Sequence, residues 1–105
     1  MSIPTQPNYS PYGDALAEVE LREPPHFRVI LHNDDYTTME FVVAILCEVF
    51  HKSQDEAVRI MLNVHNKGHG DCGVYPAEVA ETKVSVVHNK ARAAGYPLRC
   101  SLEKA

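Results

Sequence analysis

The chain has 105 residues, 45% hydrophobic and 23% charged, enough for one domain with a modest core. Its net charge of −4 and pI of about 5.8 argue against a nucleic-acid-binding surface, which is ordinarily basic. No apolar run is long enough to span a membrane, no secretory leader is recognisable, and Cys47, Cys72 and Cys100, odd in number with no close pair, read as reduced thiols of a cytoplasmic protein.

Residues 1–25 differ in composition from the rest. They hold five of the seven prolines and set Asp14, Glu18, Glu20 and Glu23 against a single Arg22. A segment this polar and proline-rich buries too little to order itself, so it is expected to be a flexible extension of a core domain over residues 26–105. The core begins with His26 to His32, where Phe27, Val29 and Leu31 alternate with Arg28, Ile30 and His32, the period of a strand. Asn33-Asp34-Asp35 ends it, since short polar side chains compete for the backbone and favour turns. Thr37 and Glu40 read as a capping box and Tyr36 with Phe41 as a hydrophobic staple, starting a helix over Thr38–Phe50.

Ser53 and Glu56 repeat the capping box and predict a second helix over Gln54–Lys67, stopped by Gly68. Its apolar stripe is Ala57, Ile60, Met61 and Val64, extended by His65. Asp71–Tyr75 reads as a short strand. Pro76 suits the first turn of a third helix, with Ala80, Val84, Val87, Ala91 and Ala94 as its buried stripe and Gly95 as its stop. Leu98, Cys100 and Leu102 alternate with polar residues as a last strand. The order β-α-α-β-α-β predicts an α+β two-layer sandwich, a three-stranded sheet with helices on it.

Two segments carry the chemistry. Asn33, Asp34 and Asp35 follow a strand and precede a helix, and Met61-Leu62-Asn63-Val64-His65 can bring a thioether, a methyl pair and an imidazole to the same place. Met39 and Val42 share a face of the first helix, as do Met61, Val64 and His65 on the second, while Leu31 closes the strand end and Leu98 is placed on the opposite wall. Oxygen and nitrogen acceptors over an apolar floor suit a cation attached to a hydrophobic side chain. The free amino terminus of a polypeptide, with three donors and a pKa near ~8, is such a group. Acetylation removes donors and charge, and a site built to saturate a polar group rejects ligands that lack it.

Each fragment also has a plainer reading: a solvated turn, methionines as core filler, a histidine at a helix end. His65, His69, Asp71 and Cys72 lie close in sequence but lack the paired spacing of a zinc site. Cys72 with His65 and Asp71 carries no nucleophile signature, and no phosphate loop is present. Neither a metal, a cofactor nor catalysis is expected. The competing class is a small interaction module of similar topology without end recognition.

The run Asn33 to Val42, the segment Met61 to His65, Cys72-Gly73-Val74-Tyr75, the run Ala77 to Val84, Pro97-Leu98 and Leu102-Glu103-Lys104 resemble, in order, the ClpS family of adaptors over residues 24–105. The resemblance implies a non-enzymatic, monomeric adaptor. It implies binding of N-degron substrates that begin with Leu, Phe, Tyr or Trp and their delivery to the unfoldase ClpA and its peptidase ClpP. It also implies roles: Asn33, Asp34 and His65 on the α-amino group, Asp35 and Thr37 on the rim, Met39 as a gate against β-branched residues, and Val42, Met61, Val64 and Leu98 around the pocket, to which the strand end adds Leu31. Glu78 and Lys83 fall where the family docks on the N-terminal domain of ClpA. Many members carry proline where this chain has Thr38.

Overall fold

A central strand with an edge strand on either side organises the domain. The structure, a computed structural model, describes residues 24–105, so the expected extension lies outside the described residues apart from Pro24 and Pro25. The elements are β1 (His26–His32), α1 (Met39–Glu48), α2 (Gln54–Lys67), β2 (His69–Pro76), α3 (Ala77–Ala94) and β3 (Arg99–Lys104). The sheet order is β2-β1-β3, antiparallel throughout. The predicted α+β architecture and element order are those observed.

Alternation along the strands separates two faces. Val29 and Leu31 of β1, Cys72 of β2 and Cys100 of β3 are buried under the helices, where Ile45, Leu46, Ala57, Val64, Ala80, Val87 and Ala91 meet them. Full burial of one aliphatic side chain of this size stabilises by about 1.5–3 kcal/mol. On the outer face Arg28 donates from Nε to Asp71 Oδ2 at 2.7 Å and lies 3.7 Å from Glu103 Oε1, linking the centre to both edges. These ion pairs are exposed and contribute at most about 1 kcal/mol.

One irregularity in β2 shapes the sheet. The register shifts between Val29 and Ile30, so Cys72 and Gly73 share one partner position as a bulge. Gly73 has φ 129° there, and a Cβ would stand 2.9 Å from the Tyr75 hydroxyl. The backbone angle is the one that favours glycine, and the Tyr75 ring closes over the space a side chain would take.

Several local expectations shift. The cap of α1 is Thr38, whose hydroxyl accepts from the Phe41 amide at 3.2 Å, and not Thr37. The Thr37 side chain is turned the other way, into the loop, where its hydroxyl donates to Asp34 Oδ2 at 2.7 Å. No staple forms: Tyr36 is 76% exposed, and Phe41 instead meets the Tyr96 ring with centroids 4.8 Å apart. α1 ends at Glu48 rather than Phe50, because the chain turns left-handed at His51, with φ 55°. α2 runs as expected from the Ser53 cap, which accepts from Glu56 N at 3.2 Å, to Gly68 with φ 93°. β2 is longer at both ends than Asp71–Tyr75, since pairing starts at His32 opposite His69. Pro76 occupies the position before α3 instead of its first turn, and Ala94 at the other end of the expected stripe is exposed.

Candidate functional site

The end of β1, the loop that follows it and the far end of α2 meet at one edge of the helical layer. A main-chain bond joins them: Asn33 N–H donates to Gly68 O at 2.9 Å. The strand's exit and the helix's glycine stop are thereby held side by side.

The loop is organised around Asp34. Its Oδ1 accepts from the amides of Tyr36 at 2.8 Å and Thr37 at 2.7 Å, and its Oδ2 accepts from the Thr37 hydroxyl. This is the local side-chain turn that an aspartate in such a loop favours. Burial by itself would raise the carboxyl's pKa, but the Thr37 hydroxyl and the two amides outweigh it, and the group lies below its ordinary value. Asp34 therefore presents a fixed negative charge at neutral pH.

A cavity of about 480 Å³ opens beside this loop. Asn33, Asp34, Asp35 and Thr37 form its polar side, and His65 of α2 also lines it. Met39 and Val42 of α1 and Met61 and Val64 of α2 supply its apolar wall. Val42 and Val64 are buried at 6% and 3% exposure, whereas Met39 is 44% exposed at the mouth. Helical spacing produces this arrangement, with each helix contributing residues three apart to one face. Val64 is pressed onto the sheet at Gly70, where a Cβ would come within 2.6 Å of its Cγ2.

Nine of the sequence-selected residues come together here, and four do not. Leu31 and Leu98 are buried in the core at 0% and 3% exposure and do not line the cavity. Their contribution is to carry the frame behind it. Glu78 is exposed on the first turn of α3, away from the cavity. Lys83 is half-buried: its Nζ donates to Val49 O at 2.7 Å and lies 5.1 Å and 5.8 Å from the Tyr75 and Phe50 ring centroids. Conversely, Tyr36, Thr38 and Glu40 line the cavity without having been singled out. Their signal was positional, since all three lie inside the run from Asn33 to Val42.

The alternative chemistry around Cys72 does not assemble. Burial, with the Cys100 thiol nearby, pushes the Cys72 thiol up to about 12, a packing group rather than a nucleophile. Asp71 is occupied by Arg28 and by the Gly73 amide at 2.9 Å. Among the described residues no group of three or more His, Cys, Asp or Glu side chains is placed to hold a metal ion, and no helix is long and apolar enough to cross a membrane.

The family model described as ATP-dependent Clp protease adaptor protein ClpS matches residues 22–101. The chain belongs to the ClpS family. Among ClpS relatives, the ATP-dependent Clp protease adapter protein ClpS of Nitratidesulfovibrio vulgaris strain Miyazaki F is 69% identical over 91 residues, 87% of this chain and 91% of that protein. The ClpS of Oleidesulfovibrio alaskensis is 65% identical over 92 residues, 88% of each chain. The solved structure of Agrobacterium tumefaciens ClpS2 bound to L-phenylalaninamide superimposes with a TM-score of 0.76 at 36% identity, covering 79% of this chain and all of that one. The protein is thus a Clp protease adaptor, a non-catalytic family.

Proposed function

We propose that this ClpS adaptor binds the free α-amino group and the bulky hydrophobic first residue of N-degron polypeptides, Leu, Phe, Tyr or Trp, and delivers them in the cytoplasm to ClpA–ClpP. One observation carries the reading: the charged acceptor Asp34 and the apolar wall from Met39 to Val64 share a single cavity. The ammonium donates to Asn33 Oδ1, to Asp34 and to an unprotonated ring nitrogen of His65. Asp35 and Thr37 complete the rim. The side chain descends between Met39 and Met61 toward Val42 and Val64, and the deformable thioethers adapt to aromatic and aliphatic shapes. L-Phenylalaninamide, the molecule bound to the A. tumefaciens relative, carries both a free α-amine and a benzyl side chain, which supports the reading.

Delivery uses a separate surface. Glu78 and Lys83 on α3 dock on the N-terminal domain of ClpA, and residues 1–25 engage the unfoldase as the substrate is handed over. The chain contains no Trp, so fluorescence of a Trp-first peptide reports the ligand alone. A blue shift with the free-amine peptide and none with its acetylated copy is the expected result. Equal shifts with both peptides mean a greasy groove without end recognition, and the reading fails.

A further inference from the structure

A second cavity of about 460 Å³ adjoins the first. Met39 and Met61 line both, so these methionines are a shared partition. Beyond them the second cavity is walled by Val43, Ala44 and Cys47 of α1 and closed by Gln54 at the start of α2. Val43 and Cys47 are half-buried and rest on the core. The Cys47 thiol donates to Gln54 Oε1 at 3.8 Å at the far end.

The spacing fits an extended peptide. Along α1 the wall advances from Met39 to Val43, four residues or about 6 Å. In an extended chain the side chains of residues one and three point the same way, about 6.6 Å apart. We infer that the groove between Met39, Met61 and Cys47 is a subsite for an apolar third residue of the bound polypeptide. The inference rests on the end-recognition reading above, because only a first residue held in the neighbouring cavity sets the third residue at this distance. The second side chain points outward and is left unread. Glu40 borders both cavities, so an acidic third residue meets a like charge there.

Cys47 supplies a direct reporter. Burial pushes the thiols of both Cys72 and Cys100 up to about 12, while Cys47 is half-buried in the groove wall. Alkylation of the native full chain by iodoacetamide, read by mass spectrometry, therefore follows Cys47. The peptides Phe-Ala-Leu-Gly-Lys and Phe-Ala-Ala-Gly-Lys, each fluorescein-labelled on the lysine side chain, give affinities by anisotropy. The leucine peptide is expected to bind about tenfold tighter, the effect of half-burying one apolar side chain. At saturation it should slow Cys47 alkylation at least about fivefold, and the alanine peptide should not, in line with burial of the thiol's surroundings. Equal affinities, or a difference in affinity without protection of Cys47, overturn the subsite while leaving end recognition standing. If neither peptide binds, or an acetylated leucine peptide binds equally well, end recognition itself fails and the subsite falls with it.

Discussion

The Thr37 hydroxyl donates to Asp34 Oδ2 while the Thr37 amide donates to Asp34 Oδ1, both at 2.7 Å. One residue thus grips both oxygens of the carboxylate that faces the cavity. Replacing Thr37 with Val keeps the shape and removes the hydroxyl. The Asp34 titration, followed by NMR, should move upward, and affinity for a Phe-first peptide should fall by about tenfold, typical of losing a hydrogen bond to a charged group. Thr37→Ser should restore both. An unmoved titration would mean that the amides alone hold Asp34.

The same contact sets an acid limit. Because the folded pKa of Asp34 lies below its ordinary 3.8, its stabilising contribution is complete above that value and is lost as pH falls through the folded one. His32 acts at a higher pH. Burial, then Arg99 and His69, lowers its pKa below 6.5, and its Nε2 lies 2.6 Å from Ser101 Oγ. The unfolded chain therefore binds the extra proton first, and stability should decline as pH drops below 6.5. Urea melts between pH 7 and pH 5 test this, and His32→Gln should flatten the slope.

Met39 stands 44% exposed at the mouth of the cavity. Met39→Ala should admit peptides beginning with Ile or Val and weaken Phe-first binding by roughly three- to tenfold through lost contact area. Titration of the Ile-, Val- and Phe-first peptides decides it. If Ile and Val peptides still fail to bind, the selectivity against branching lies deeper, at Val42 or Val64.

Gly70 is in close contact with the cavity wall from behind. A methyl group there would meet Val64 Cγ2 at 2.6 Å and Ile60 Cγ2 at 3.1 Å. Gly70→Ala should destabilise the domain by about 1–3 kcal/mol, the usual cost of overpacking, and weaken peptide binding by displacing Val64. Chemical denaturation and peptide titration on the same sample separate the two effects.

Lys83 joins α3 to the end of α1 through Val49 O and covers the Phe50 and Tyr75 rings. Lys83→Ala should lower the melting temperature by about 4–8 °C, corresponding to about 1 kcal/mol in a domain of this size. Peptide binding should survive, since Lys83 is absent from the cavity wall. Loss of docking on ClpA in this variant is interpretable only beside its melting curve, and Glu78→Ala, on an exposed residue, provides the control.

Legibility in the sequence followed how local the cause was. α2 was readable from end to end because Ser53 and Gly68 are both local signals, a side-chain cap and a left-handed stop. Two adjacent threonines leave the α1 cap ambiguous by one residue, and only the loop's fold reveals that Asp34 engages the first. Phe41 was paired with Tyr36 by proximity in the chain, whereas its partner Tyr96 arrives from the far end of α3. Strand ends lie near the cavity, which is why position alone points to Leu31 and Leu98 as its lining. Which side of the sheet edge a side chain fills is a matter of three-dimensional packing that alternation alone does not specify. The polar rim and the Met39–Val64 wall were readable because helical periodicity and turn chemistry act within a few residues.

The bond from Asn33 N–H to Gly68 O is made by main chain alone. Its geometry is indifferent to what the neighbouring side chains are. Rim residues other than the Asp34–Thr37 pair, which shapes the loop itself, can therefore be exchanged to retune ligand preference while the two segments keep their registration. Evolution, or a protein engineer, can treat the mouth as interchangeable fittings on a fixed mount, provided position 68 keeps a residue that tolerates φ 93°.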